Sequence, residues 1–168
     1  MGRELRMVPP NWEHPKTTRR NGDYDYQPMY NRSFKKASDE WTADFMAWME
    51  KYPSGVNEDG YRFWEYEGDP PGREYHVPYE ESEATWFQLY QTVSEGTPVS
   101  PPFATREELI EYLVENGDFW DQKRGHGQKY SRQAAEYICN GGWFPSAIIV
   151  NGKLADHPSE QAELLSGK

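Results

Sequence analysis

Apolar positions along the chain fall into a few clear periodic runs separated by polar, proline- and glycine-rich stretches. Phe34, Ala37, Trp41, Phe45, Trp48 and Tyr52 follow one another at three- and four-residue intervals. That is the spacing of one face of an α-helix, so a helix is predicted over Ser33 to Tyr52. Ser33 suits its N-cap, and Pro53 with Gly55 stops it. The other face carries Lys36, Asp39, Glu40 and Glu50. A stripe of large rings is more often core than ligand pocket, which predicts this helix at the centre of the fold. Thr105 with Glu108 forms a capping-box pattern ahead of Leu109, Tyr112 and Leu113, and Asn116–Gly117 closes that helix. A third helix is expected from Ser131 to Asn140 through Ala134, Ala135, Tyr137 and Ile138, ended by Gly141–Gly142.

Two aromatic and β-branched runs read as strands, Tyr61 to Glu67 and Thr85 to Val93, each bounded by turn formers. Ser146 to Val150 is a short apolar strand, and Asn151–Gly152 offers a type I′ turn back through Lys153 to Ala155. Arg3 to Val8 alternates weakly before Pro9 and Pro10 end it. From Asn11 to Tyr30 there is little periodicity, which fits either a disordered arm or one that wraps the core with Trp12, Tyr24, Tyr26, Met29 and Tyr30 as anchors. These elements predict an α+β fold, a small, mainly antiparallel sheet packed against two to three helices. The expected organisation is an extended N-terminal arm over 1–32, a single domain over 33–158 and a C-terminal tail over 159–168.

Composition changes the picture in two ways. Only 36% of the 168 residues are hydrophobic, but 15% are aromatic, and rings bury enough area each to build a core. The net charge is -10, and it is uneven. Residues 39–83 hold thirteen acids against Lys51, Arg62 and Arg73, whereas residues 1–38 are net basic. Such a balance disfavours a generic phosphate-binding surface and predicts a negative face that steers a basic partner. A plain solubilising surface is the simpler alternative. No apolar run approaches the ~20 residues of a membrane span or the core of a signal peptide. A lone cysteine, Cys139, excludes an internal disulfide and a multi-cysteine zinc site.

The runs TVSEGTPVSPPFATREELIEYL (92–113), RELRMVPPNWEHPK (3–16) and GGWFPSAIIV (141–150) resemble segments of small accessory proteins of tailed phages and prophages. That family carries no transferable activity, so no residue inherits a catalytic role from it. The resemblance implies a phage protein acting in the cytoplasm of the infected bacterium. Small acidic accessory phage proteins are often inhibitors of host enzymes or of defence systems such as CRISPR or restriction.

Candidate chemistry is sparse. His14, His76, His126 and His157 form no metal-ligand spacing. Asp118, Asp121 and His126 are the nearest approach to a metal or acid–base cluster, but Phe119 and Trp120 separate the carboxylates and Lys123 and Arg124 compete for them. Cys139 near a helix end reads as buried filler rather than a nucleophile. Lys123, Arg124, Lys129 and Arg132 with Trp120 and Tyr130 make a basic–aromatic patch, expected to pair with the acidic stretch of the same chain. No catalytic residue, metal site or cofactor is expected.

The function these features point to is protein interaction. An acidic surface bearing Glu65, Glu67, Asp69, Glu80, Glu81 and Glu83 would occupy a basic surface of a host or defence protein, such as one that holds nucleic acid, with no direct nucleic-acid or membrane contact of its own. The alternatives are a small enzyme or ligand binder with a pocket lined by Trp64, Trp86, Tyr90 and Trp120, and a minor virion component.

Overall fold

A computed structural model describes residues 2–92, 96–124 and 128–166. In chain order the elements are β1 (Arg3–Val8), β2 (Lys16–Thr18), β3 (Tyr24–Tyr26), β4 (Tyr30–Ser33), α1 (Phe34–Lys51), α2 (Phe63–Tyr66), β5 (His76–Val77), β6 (Trp86–Gln91), β7 (Thr97–Pro98), α3 (Arg106–Asn116), α4 (Phe119–Arg124), α5 (Arg132–Cys139), β8 (Trp143–Phe144), β9 (Ile148–Val150), β10 (Lys153–Ala155) and α6 (Pro158–Ser166). The fold is α+β, as the periodicities predict. It divides into two compact units, Met1–Pro28 with Glu81–Lys168, and Met29–Glu80. No helix among the described residues is long and apolar enough to cross a membrane.

The larger unit is built on an antiparallel sheet of order β7-β6-β1-β8. β1 pairs with β6 along its whole length, from Arg3 opposite Gln91 to Val8 opposite Trp86, and with β8 through Arg3 and Glu4. The start of the chain is therefore an interior strand and not part of an extended arm. Its weak alternation places Val8 fully inside and Arg3 and Arg6 in buried polar positions. Two buried arginines make an interior strand look solvated in sequence. The remainder of the expected arm includes the β2–β3 hairpin, closed by Arg19 N–H donating to the Asp23 carbonyl at 2.7 Å.

Against the sheet lie α3 and α5, and α6 packs on α5 and the β9–β10 hairpin. Leu109, Ile110 and Leu113 of α3 meet Ala134, Ala135, Ile138 and Cys139 of α5, with Leu89, Val99, Tyr130, Phe144 and Ala162 completing the core. The capping box of α3 forms as the sequence predicts, and α5 has a serine cap as well. Thr105 Oγ1 accepts from Glu108 N–H while the Glu108 carboxylate accepts from Thr105 N–H, and Ser131 Oγ accepts from Ala134 N–H. Asn151 and Gly152 both adopt positive φ, 51° and 76°, at the turn between β9 and β10. Most of the expected tail instead belongs to α6, which starts one residue earlier at Pro158 and is held by buried Gln161, whose amide donates to the Pro145 carbonyl at 3.1 Å.

The smaller unit joins the parallel pair β4–β5 to α1 and α2. Ser33 caps α1, its Oγ accepting from Lys36 N–H at 3.1 Å. The ring stripe of α1 does not form the centre of the fold. The core cluster of the larger unit contains no α1 residue, and only Ala37 of α1 is fully buried. Instead Trp41, Phe45 and Trp48 surround a single buried ring, Phe63, with centroids 5.1, 5.5 and 5.7 Å away. The strand expected over Tyr61 to Glu67 is likewise replaced by the helical turn α2. The Glu65 carboxylate accepts from Arg62 N–H at 2.8 Å, and the turn sends Phe63 inward while Trp64 and Tyr66 stay exposed. Aromatic content suggested a strand there, but the local cap and the inward pull on one ring decided otherwise.

Candidate functional site

The smaller unit carries eleven acids against six basic residues, half of the chain's net charge in under a third of its length. Its most distinctive surface feature is a groove of about 530 Å³. One wall is the α1 stripe of Asp44, Trp48, Lys51 and Tyr52, whose three- and four-residue spacing places them along one helix face. Opposite it stands the loop bearing Glu58 and Asp59, and α2 contributes Phe63 and Tyr66 with Glu67 just beyond. The loop is shaped by Asn57, whose side-chain carbonyl accepts from the N–H groups of Asp59 and Tyr61 at 3.1 and 2.8 Å. That Asx-type geometry holds Glu58 and Asp59 at the tip. Trp48 is the hub of the ring floor, with centroids 4.8 Å from Tyr52 and 5.7 Å from both Phe63 and Tyr66.

The electrostatics of the groove are lopsided. Among the described residues, none of the carboxylates of Asp44, Glu58, Asp59 and Glu67 is in an ion pair. The one basic residue in the lining, Lys51, rests its ammonium 4.8 Å from the Tyr52 ring centre. A hydrogen bond to Tyr52 raises its pKa, with Glu58 and Tyr66 adding to the effect. A second groove of about 560 Å³ in the same unit offers a contrast. Its Lys35 and Arg73 face Asp39 and Glu80, Lys35 pairs with Asp39, and the Arg73 guanidinium covers the Phe34 ring at 4.5 Å. Its charges are matched from within the chain.

The acids expected to form one surface are distributed over both units. Glu65, Glu67, Asp69 and Glu80 are exposed in the smaller unit, Glu67 at the groove and Glu80 accepting from Ser33 Oγ at 3.3 Å. Glu81 and Glu83 are exposed on a 3₁₀ turn of the larger unit. Asp44, Glu58 and Asp59 were not singled out by the sequence; the 44–48–52 spacing on a predicted helix was a signal that could have joined Asp44 to the rings, whereas the loop residues Glu58 and Asp59 gave none.

The four candidate pocket rings do not form one set. Trp64 is exposed in the smaller unit, with the Arg62 guanidinium 5.6 Å from its ring. The other three lie in the larger unit, where Tyr90 is 1% exposed and part of the packed interior. Its hydroxyl lies 3.0 Å from Nδ1 of buried His14, whose Nε2–H donates to the Gln27 carbonyl at 2.6 Å. Burial lowers the pKa of His14, nearby Arg6 acts in the same direction, and the Gln27 carbonyl opposes them. Trp120 donates its indole N–H to Gln91 at 2.7 Å, and Trp86 is half-buried at the start of β6.

Asp118 and Asp121 are structural. Asp118 is 1% exposed, and its Oδ2 receives Arg3 Nε and Nη2, both at 2.6 Å, and the Tyr130 hydroxyl at 3.2 Å. Burial pushes the Tyr130 phenol well above its ordinary pKa, and the Asp118 charge adds to that. Asp121 accepts from Asp118 N–H at 2.9 Å and lies 3.5 Å from His157 Nε2. His126, the third member of the cluster considered from sequence, lies outside the described residues. No three His, Cys, Asp or Glu side chains among the described residues could together hold a metal ion. Burial raises the Cys139 thiol to about 12. In the basic–aromatic patch, Arg132 pairs with Glu107 and Glu136, not with the acidic stretch. Comparison with protein-family models, with curated proteins and with solved structures gives no match for this chain.

Proposed function

We propose that this chain is a protein-interaction module that binds a basic partner through the carboxylates of its 29–80 unit. The observation that carries this reading is the groove where Asp44, Glu58, Asp59 and Glu67, without an ion-pair partner among the described residues, stand around half-buried Trp48 and Tyr52 and exposed Tyr66. A positively charged surface is steered toward such a set of carboxylates and pairs with them on docking. In the setting implied by the resemblance to phage accessory proteins, the partner is a host or defence protein whose basic surface serves nucleic acid. The chain then acts as its inhibitor.

The test is affinity capture from bacterial lysate at low and high salt, with the native chain and with a Glu65→Gln, Glu67→Gln, Asp69→Asn variant. One basic, nucleic-acid-binding protein held at low salt, released at high salt and lost with the variant is the expected result. A partner held equally at both salts and by both proteins would overturn the proposal.

A further inference from the structure

Resting on that reading of the 29–80 unit, we infer that the groove beside Trp48 is an anchor for one arginine side chain of the partner. Three observations converge on a cation of this kind. The floor is aromatic, with Trp48 touching Tyr52, Phe63 and Tyr66, and a cation is drawn to such ring faces. The carboxylates come from three separate segments, Asp44 on α1, Glu58 and Asp59 on the loop, and Glu67 beyond α2. They surround the rings without converging into a set that could hold a bare metal ion. Carboxylates arranged in this way suit a broad, delocalised charge with donors pointing outward in several directions.

Guanidinium has that form. Its plane stacks on an indole or phenol while its five N–H groups reach carboxylates at the rim, and it loses its hydration more readily than an ammonium. Lys51 shows that the wall accepts a cation, its ammonium lying against Tyr52. It is an exposed, flexible residue at the C-terminal end of α1, and a single ammonium leaves the lining with three carboxylates in excess. At about 530 Å³ the groove is on the scale of clefts that take small ligands and single long side chains.

The experiment follows the assigned Trp48 indole N–H signal of the full chain by NMR at low salt. The probes are N-acetyl-arginine amide, N-acetyl-lysine amide and N-acetyl-citrulline amide, with deca-lysine in a separate titration. The expected result is a saturable shift with the arginine probe, roughly three- to tenfold weaker binding of the lysine probe, and no shift with neutral citrulline. Asp44→Asn with Glu67→Gln, both at exposed positions, should weaken the arginine probe about tenfold. Equal binding of arginine and lysine, or no effect of the two substitutions, overturns the arginine anchor. If deca-lysine still binds, the acidic-module reading survives that result. If no basic probe binds at low salt, both fall.

Discussion

Replacing Asp118 by Asn tests whether the start of the chain is an interior strand. The substitution keeps the shape of the side chain and one carbonyl oxygen. That oxygen can still accept from the N–H groups of Trp120 and Asp121, now 2.8 and 3.1 Å from Oδ1. What changes is the other position, where Oδ2 receives two nitrogens of Arg3 and the Tyr130 hydroxyl. An amide NH₂ there presents hydrogens to a guanidinium that is only 7% exposed. Removing one partner of a buried ion pair costs about 3–5 kcal/mol, because the remaining charge is left in a site that water does not reach. For a chain of this size each kcal/mol is about 2–4 °C of Tm, so a fall of about 6–20 °C is expected. The assay is urea and thermal unfolding followed through the larger unit. Pairing the change with Arg3→Met should recover part of the loss, since no charge then lacks its partner. A loss below about 1 kcal/mol for Asp118→Asn, or strictly additive effects in the pair, would refute the buried bridge. A loss that small is what a solvated arm carrying Arg3 would give.

Other perturbations probe the rest of the molecule. Since His14 has a lowered folded pKa, stability should be flat above about pH 6.5 and fall as pH drops below it, where the unfolded chain takes up a proton that the folded chain resists. His14→Phe should flatten that slope between pH 7.5 and 5.5 in denaturant titrations, and an unchanged slope would contradict the assignment. With its thiol raised to about 12 and no exposed surface, Cys139 should resist maleimide in the native protein and react on unfolding. Rapid native labelling would show that α5 is open. Phe63→Ala, emptying the space among Trp41, Phe45 and Trp48, should cost about 3–5 kcal/mol in the smaller unit and weaken its near-ultraviolet circular dichroism, whereas retention of that signal would argue against the ring cluster. Thr105→Ala should remove about 1 kcal/mol by leaving the Glu108 N–H without its cap, measured by the same unfolding assay, and an unchanged stability would count against the capping box.

The sequence alone determined what depends on neighbours a few residues away. The helices of 34–51, 106–116 and 132–139, their Ser and Thr caps, the 86–91 strand and the Asn151–Gly152 turn follow from residue spacing and from side chains that bond their own backbone. The acidic character of the middle stretch and the ring stripe of α1 were also legible there. Tertiary structure decided what depends on a distant partner. A strand containing Arg3 and Arg6 becomes interior because β6, more than 80 residues later, pairs with it, and because Asp118 neutralises Arg3. The ring stripe of α1 became the wall of a groove because α2 sends only Phe63 inward and the Asn57 loop sets Glu58 and Asp59 opposite Trp48. Periodicity identifies which face of an element is apolar. What that face meets, and whether it is sealed or left open between carboxylates, depends on long-range contacts that a local pattern does not encode.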